Sequence, residues 1–147
     1  MKKILLAATL IVAITSAAFA DGKKADAKFL SDLKASLKSV NESAWTTTEF
    51  YRKTSFSLNG KTVNAYLDPE TSNLVGFSIP VDEASLPDGA KEDIAKKFEG
   101  WQITNTIMFI EAEGQIKYFA QINKGKKSLA LSVSPKGKAN IYARMPQ

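Results

Sequence analysis

The stretch Ser55–Pro80, "SFSLNGKTVNAYLDPETSNLVGFSIP", decides the fold. Phe56 and Leu58 alternate with serines. After Asn59-Gly60, Val63, Ala65 and Leu67 alternate with Thr62, Asn64 and Tyr66. A period of two is the mark of a strand with one face buried. Asn-Gly between two such runs predicts a tight hairpin, because both residues accept a positive φ. Asp68-Pro69 predicts the next reversal, and Leu74 to Ile79 supplies a further strand.

The pattern then returns. Tyr66–Pro80 lines up with Ser132–Pro146, 66 positions later: Pro69 with Pro135, Pro80 with Pro146, and Leu67, Val75 and Ile79 with Val133, Ile141 and Met145. Upstream of the second copy, Ile116, Tyr118, Ala120 and Ile122 alternate with Lys117, Phe119 and Gln121. A turn over Asn123–Lys127, longer than the Asn-Gly turn, leads to Leu129, Leu131 and Val133. A helix precedes each set. Phe29, Leu33, Leu37 and Val40 share one helical face, with Asp26 as N-cap candidate, and Ala90, Ile94, Phe98 and Trp101 repeat the spacing. The expected strands are 44–52, 54–58, 62–68 and 73–79, then 103–111, 115–122, 128–133 and 138–145. The expected fold class is therefore α+β, as two tandem units. Each is a helix packed on a roughly four-stranded antiparallel sheet, repeat one at 28–80 and repeat two at 85–147, after a flexible segment at 21–27.

Residues 1–20 read as a secretory signal peptide. Lys2 and Lys3 precede the apolar run Ile4–Ile14, and Ala18-Phe19-Ala20 forms an A-x-A cleavage site. The run is too short for the roughly 20 apolar residues that span a bilayer. Cleavage after Ala20 would leave 127 residues, about one domain, and lower the net charge from +5 to +3. The expectation is a periplasmic or secreted protein with no transmembrane anchor after signal removal. So modest a charge argues against nucleic acid as a partner. There is no cysteine, so a packed core must supply the stability.

The sequence contains no His and no Cys. That removes Ser-His-Asp and Cys-His nucleophiles, thiol redox chemistry and the usual zinc sites. Gly60 and Gly125 serve turns, and there is no phosphate-binding glycine loop. The acid pairs Asp68/Glu70, Asp82/Glu83 and Glu111/Glu113 read as solvated turns. No catalytic residue, metal centre or cofactor is expected, and the chain reads as a non-enzyme.

Strand parity leaves Asn64 and Tyr66, Phe119 and Gln121, and Asn140, Tyr142 and Arg144 on the face away from the helices. Trp45, Thr47, Glu49 and Tyr51 share a face in the first strand, with Trp45 assigned equally to an interface or to the core. Tyr, Trp and Arg on a polar face are the residues of interface anchors. Tyr51, Tyr66, Phe119, Tyr142 and Arg144 are therefore the candidate binding residues, for an unknown envelope or extracellular protein. The alternative is an anionic polymer or lipid held by Lys124, Lys126 and Lys127. Lys136 and Lys138 occupy the next turn, at the opposite end of the sheet, and are not expected to join that patch.

Two motifs carry a family resemblance: "F-x-L-N-G-K-x-V-x-A-Y-L-D" from Phe56 to Asp68, and "LP…I…KKF-x-G-W-x-I" from Leu86 to Ile103. With the second hairpin set they resemble the exported PepSY-like proteins, grouped with the fold of β-lactamase inhibitory protein. The resemblance runs from Phe29 to Pro146. It implies two tandem helix-plus-sheet units whose open faces form one concave surface, the surface that grips an enzyme in the inhibitor itself. This chain lacks the disulfide cysteines of that inhibitor, and no inhibitor-specific loop motif carries over.

Overall fold

The computed structural model describes residues 24–145; the signal sequence read at residues 1–20 lies outside them. Two helices are present among these residues, α1 (Ala27–Lys38) and α2 (Ala90–Lys97). The strands are β1 (Thr46–Thr47), β2 (Arg52–Leu58), β3 (Lys61–Leu67), β4 (Leu74–Pro80), β5 (Gln102–Glu111), β6 (Ile116–Lys124), β7 (Lys127–Val133) and β8 (Ala139–Arg144). All eight form one antiparallel sheet in sequence order.

Each element follows from local chemistry. Asn59 and Gly60 take φ values of 53° and 78°, and Leu58 pairs with Lys61, so the chain reverses over two residues. The second hairpin is equally tight, with Lys124 paired to Lys127; the longer loop expected there does not occur. Asp68 Oδ1 accepts the backbone N–H groups of Glu70 and Thr71, each at 2.8 Å, and so turns the chain after β3. Helix α1 has no β-branched residue, and it buries Leu33 completely. Asp26 is its N-cap residue, but the side chain makes no capping bond. Just before it, Lys24 bridges to Gln115 and Ala25 N–H bonds Gly114 C=O. Helix α2 carries Glu92 and Asp93 in its first turn and Lys96 and Lys97 in its last, matching the helix dipole.

The structure overturns two tandem helix-on-sheet units. Strands β4 and β5 pair from Gly76–Glu111 to Pro80–Ile107, so what would be two sheet edges is one continuous ladder. The cores do not divide by halves either. Leu33 of α1 packs with Val63, Ala65, Phe77 and Ile79 from β3 and β4, but also with Ile110 of β5. Ile94 of α2 packs with Ile122, Leu129, Leu131 and Ala139. Cross-strand partners share a face, so the register places both helices on the same side of the sheet. The seam needs Gly76, because a Cβ there would lie 2.5 Å from Ile110 O and 2.7 Å from the Phe109 ring.

The expected first strand, 44–52, is also corrected. A 3-10 turn at Glu42–Ala44 precedes a two-residue β1, and Thr48–Tyr51 form a turn. Thr48 Oγ1 accepts the N–H groups of Phe50 and Tyr51, a side-chain turn that competes with strand pairing. Strand β8 holds a bulge, since Ala130 pairs with Ala143 but Leu131 with Ile141, leaving Tyr142 as the extra residue. The bulge moves Ala143 and Met145 off the helix side, where strict alternation placed them.

Helix α2 also closes part of the sheet edge. Asp93 Oδ2 accepts the Ala139 N–H at 2.8 Å, and Lys97 Nζ donates to Ala139 O at 3.0 Å and pairs with Asp93 at 2.9 Å. These bonds hold the Asp93 carboxyl below its usual range, the Ala139 N–H contributing most and Lys97 next.

Two predictions follow from this packing. Gly76→Ala is expected to destabilise the fold by about 1–3 kcal/mol, the usual cost of an overpacked interior, as read by urea unfolding. Asp93 has a depressed folded-state value, so its contribution is present above the unfolded carboxylate pKa of about 3.9 and disappears as pH falls through the folded value. Asp93→Asn is expected to flatten the melting temperature against pH below about pH 4; an unchanged acid limb would contradict the role of this clip.

Candidate functional site: the helix-free face of the sheet

Among the described residues the second face of the sheet has no helix over it, yet it holds its own apolar cluster. Tyr66 (β3), Ile107 and Phe109 (β5), Phe119 (β6) and Ala130 (β7) are buried there with Tyr51 and Met145. Val75, Tyr142 and Ala143 pack against them. The rings meet edge to face: Tyr51 on Tyr66 at 5.7 Å and Phe119 on Tyr142 at 5.1 Å between centroids, with Tyr66 and Phe109 tilted at 6.3 Å.

The candidate binding residues therefore separate into a floor and a rim. Tyr51, Tyr66 and Phe119 were expected to lie open, but they are 4%, 1% and 2% exposed. They are the floor. Tyr142 is half-buried above Phe119. Arg144 is exposed but pairs with Leu129, whose side chain packs toward α2, so it stands on the helix side. Gln121, also expected open, is buried. Trp45 is half-buried beneath the Arg52 guanidinium, 5.3 Å from its ring centroid, and Arg52 is paired with Glu42 at 2.9 Å. Lys124, Lys126 and Lys127 are exposed at the β6–β7 turn.

Two features escaped the sequence reading. Phe50 is 53% exposed at the turn beside Tyr51. Its signal was the Thr48 turn, which ends the strand. The second is a buried ion pair, Lys117 with Glu111, on the helix-free face. Lys117 lies opposite Phe109, and Glu111 opposite Gly76. Parity alone puts both residues on this face; that they meet depends on the β5–β6 register.

Charge is distributed unequally between the faces. By the register, Arg52, Lys61, Lys124, Lys127 and Arg144 belong to the helix side. On the opposite side the charged residues of β2–β8 are Lys53 and the mutually neutralised Lys117–Glu111 pair. The remaining polar groups there are small and neutral, among them Ser55, Asn64, Ser78, Asn105, Ser132 and Asn140. Ser55 bonds Asn64 at 2.5 Å, and Ser128 donates to Asn123 at 2.9 Å. Tyr, Ser and Asn are the residues of adaptable protein-recognition surfaces. Among the described residues no group of three acids, His or Cys is placed to hold a metal ion, and no helix is long and apolar enough to cross a membrane.

The Tyr66 hydroxyl is 3.2 Å from Ser78 Oγ under this cluster. Burial pushes its pKa up to about 12, the Ser78 bond opposing the shift and Tyr51 adding to it. A raised folded-state value means full stability below about pH 10, lost as pH climbs toward the folded pKa, on the order of 1 kcal/mol per pH unit. Tyrosinate absorbance is expected to show one late transition that Tyr66→Phe removes; a single transition of all four tyrosines near pH 10 would refute the buried hydroxyl.

No protein-family model matches the chain, and no curated protein sequence matches it. Solved structures do. A DUF2874 family protein from Bacteroides uniformis superposes with a TM-score of 0.58 at 17% identity, over 78% of this chain and 86% of that one. A candidate periplasmic protein from Bacteroides eggerthii gives 0.58 at 18%, over 80% and 86%. A BLIP-like protein from Bacteroides fragilis gives 0.56 at 13%, over 84% and 87%. At these identities the likeness is one of fold: the chain is similar to these structures in its sheet-and-helix architecture.

Proposed function

We propose that this chain is an exported, non-enzymatic module that binds another protein with the helix-free face of its sheet. The observation that carries this reading is the segregation of charge. One face is screened by helices and bears Arg52, Lys61, Lys124, Lys127 and Arg144. The other bears an aromatic floor with small neutral polar groups and no uncompensated charge but Lys53. A partner protein can bury such a face without stranding a charge, and aromatic side chains at its rim supply contact area. Tyr51, Tyr66 and Phe119 act as the rigid floor, with Tyr142 and Phe50 as the contacting aromatics. Export fits the signal sequence and the candidate periplasmic protein of similar fold. The BLIP-like neighbour favours a protein as the ligand class.

The test is site-specific photocrosslinking in cells. A photoreactive residue at Asn64 or Asn140, on the helix-free face, is expected to trap one discrete protein, and Phe50→Ala with Tyr142→Ala is expected to cut that yield at least tenfold. The same residue at Lys91 on α2 should trap nothing specific. Adducts from Lys126 alone, lost in moderate salt and after Lys→Gln changes at positions 124, 126 and 127, would transfer the function to the lysine turn.

A further inference from the structure

The two ends of the sheet are finished differently. At one end β1 is two residues long, a blunted edge. At the other, β8 is a six-residue strand whose outer side pairs with no other strand among the described residues. Peptide groups alternate in direction along an antiparallel strand. Met145 N–H bonds Ser128 O and Lys138 O accepts Ser134 N–H, so both point inward to β7 or its turn. Counting from these, the peptide groups of Ala139, Ile141 and Arg144 point outward, with the Tyr142 bulge between the last two. The outward groups of Ala139 are already taken by Asp93 and Lys97. That leaves Ile141 and Arg144 with open ladder positions. Ile141 is also 49% exposed, one of two large apolar side chains so exposed among the described residues.

We propose that β8 pairs antiparallel with β8 of a second copy of this chain, about a two-fold axis between Tyr142 and Ala143. The strand is self-complementary in this register on three separate counts. Ile141 faces Arg144 of the second copy, and both present outward peptide groups, so they form a hydrogen-bonded pair twice over. The faces agree: Ile141 and Arg144 are cross-strand partners of Leu131 and Leu129, which pack toward α2. Tyr142 faces Ala143, and both pack on the helix-free cluster; Asn140 faces Met145 on that same side. The charges agree too. No like charges are opposed, and the Arg144 stem lies across the exposed Ile141 of the other copy, as long cationic side chains do over apolar surface. Shifting the axis by one residue, to set Ile141 opposite Tyr142, would put the helix side against the helix-free side. The Asp93–Lys97 clip ends the pairing at Ala139. So short a ladder falls below the roughly 1,200 Å² of a stable interface, so the dimer is a concentration-dependent one. Its consequence is a continuous sixteen-stranded sheet, in which the two helix-free faces adjoin.

Sedimentation of the exported, purified protein over a range of concentrations tests this. The expected result is a reversible monomer–dimer equilibrium. Ile141→Lys opposes two like charges and should raise the dissociation constant at least tenfold. Ile141→Glu sets a carboxylate against Arg144 and should preserve or tighten the dimer. Adding Arg144→Glu to Ile141→Lys should restore it. The exposure of Ile141 predicts unchanged thermal melts for these variants. A monomer at every concentration, or a dimer that answers alike to Lys and Glu at position 141, would overturn the proposal.

Discussion

The β4–β5 ladder is the constraint on which the molecule depends. Five residue pairs, Gly76–Glu111 to Pro80–Ile107, turn two hairpin sets into one sheet. Without them each half would end in an open edge and cover its helix with fewer strands. With them, Phe77, Ile79 and Ile110 lie side by side under α1, and a single helix draws its core from both halves. The close approach of Phe109 to Gly76 is what that joint requires. A side chain at position 76 would press on the ring that also floors the opposite face, so seam and candidate site are built from the same residues.

Covering one side of the sheet with both helices leaves the other side to manage alone. A sheet face without a second layer would ordinarily be polar. Here its centre is aromatic and buried, with Tyr66, Phe109 and Phe119 screened by neighbours and by side chains at the strand ends. Around them the polar groups largely satisfy one another, as Ser55 does with Asn64 and Ser128 with Asn123. The Lys117–Glu111 pair fits this pattern. Either charge alone would be costly at that depth, whereas together they leave the face near neutrality. The floor is buried, whereas Tyr142 is half-buried above Phe119 and Phe50 is exposed beside Tyr51.

The edges receive separate treatment. The Thr48 turn cuts β1 to two residues, while α2 reaches over to β8 and occupies one amide and one carbonyl with the side chains of Asp93 and Lys97. Side chains thus stand in for a missing strand at Ala139 and stop there. The bulge at Tyr142 lets the strand beyond it supply Ala143 and Met145 to the aromatic floor while Arg144 turns to the helix side. One extra residue therefore ties the end of the chain to the candidate site and sets the pattern of the exposed edge.

By itself the sequence determined what depends on near neighbours. Asn59-Gly60 determined a hairpin because its two residues tolerate positive φ, and Asp68 determined a turn because its carboxylate reaches the next amides. The two periods, 3.6 and 2, determined the two helices of the described residues and the strands from β2 to β8 in their order, but not the short β1. Tertiary structure alone decided that β4 pairs with β5, since nothing local in "LVGFSIP" names a partner thirty residues away. It also decided which aromatic residues are covered. Parity assigns a residue to a face, but burial depends on what lies across it, so Tyr66 and Phe119 read as open and are enclosed. Arg144 and Met145 changed sides for a related reason: a bulge shifts alternation by one residue, and it arises where two strands must bend together, a demand no single strand encodes.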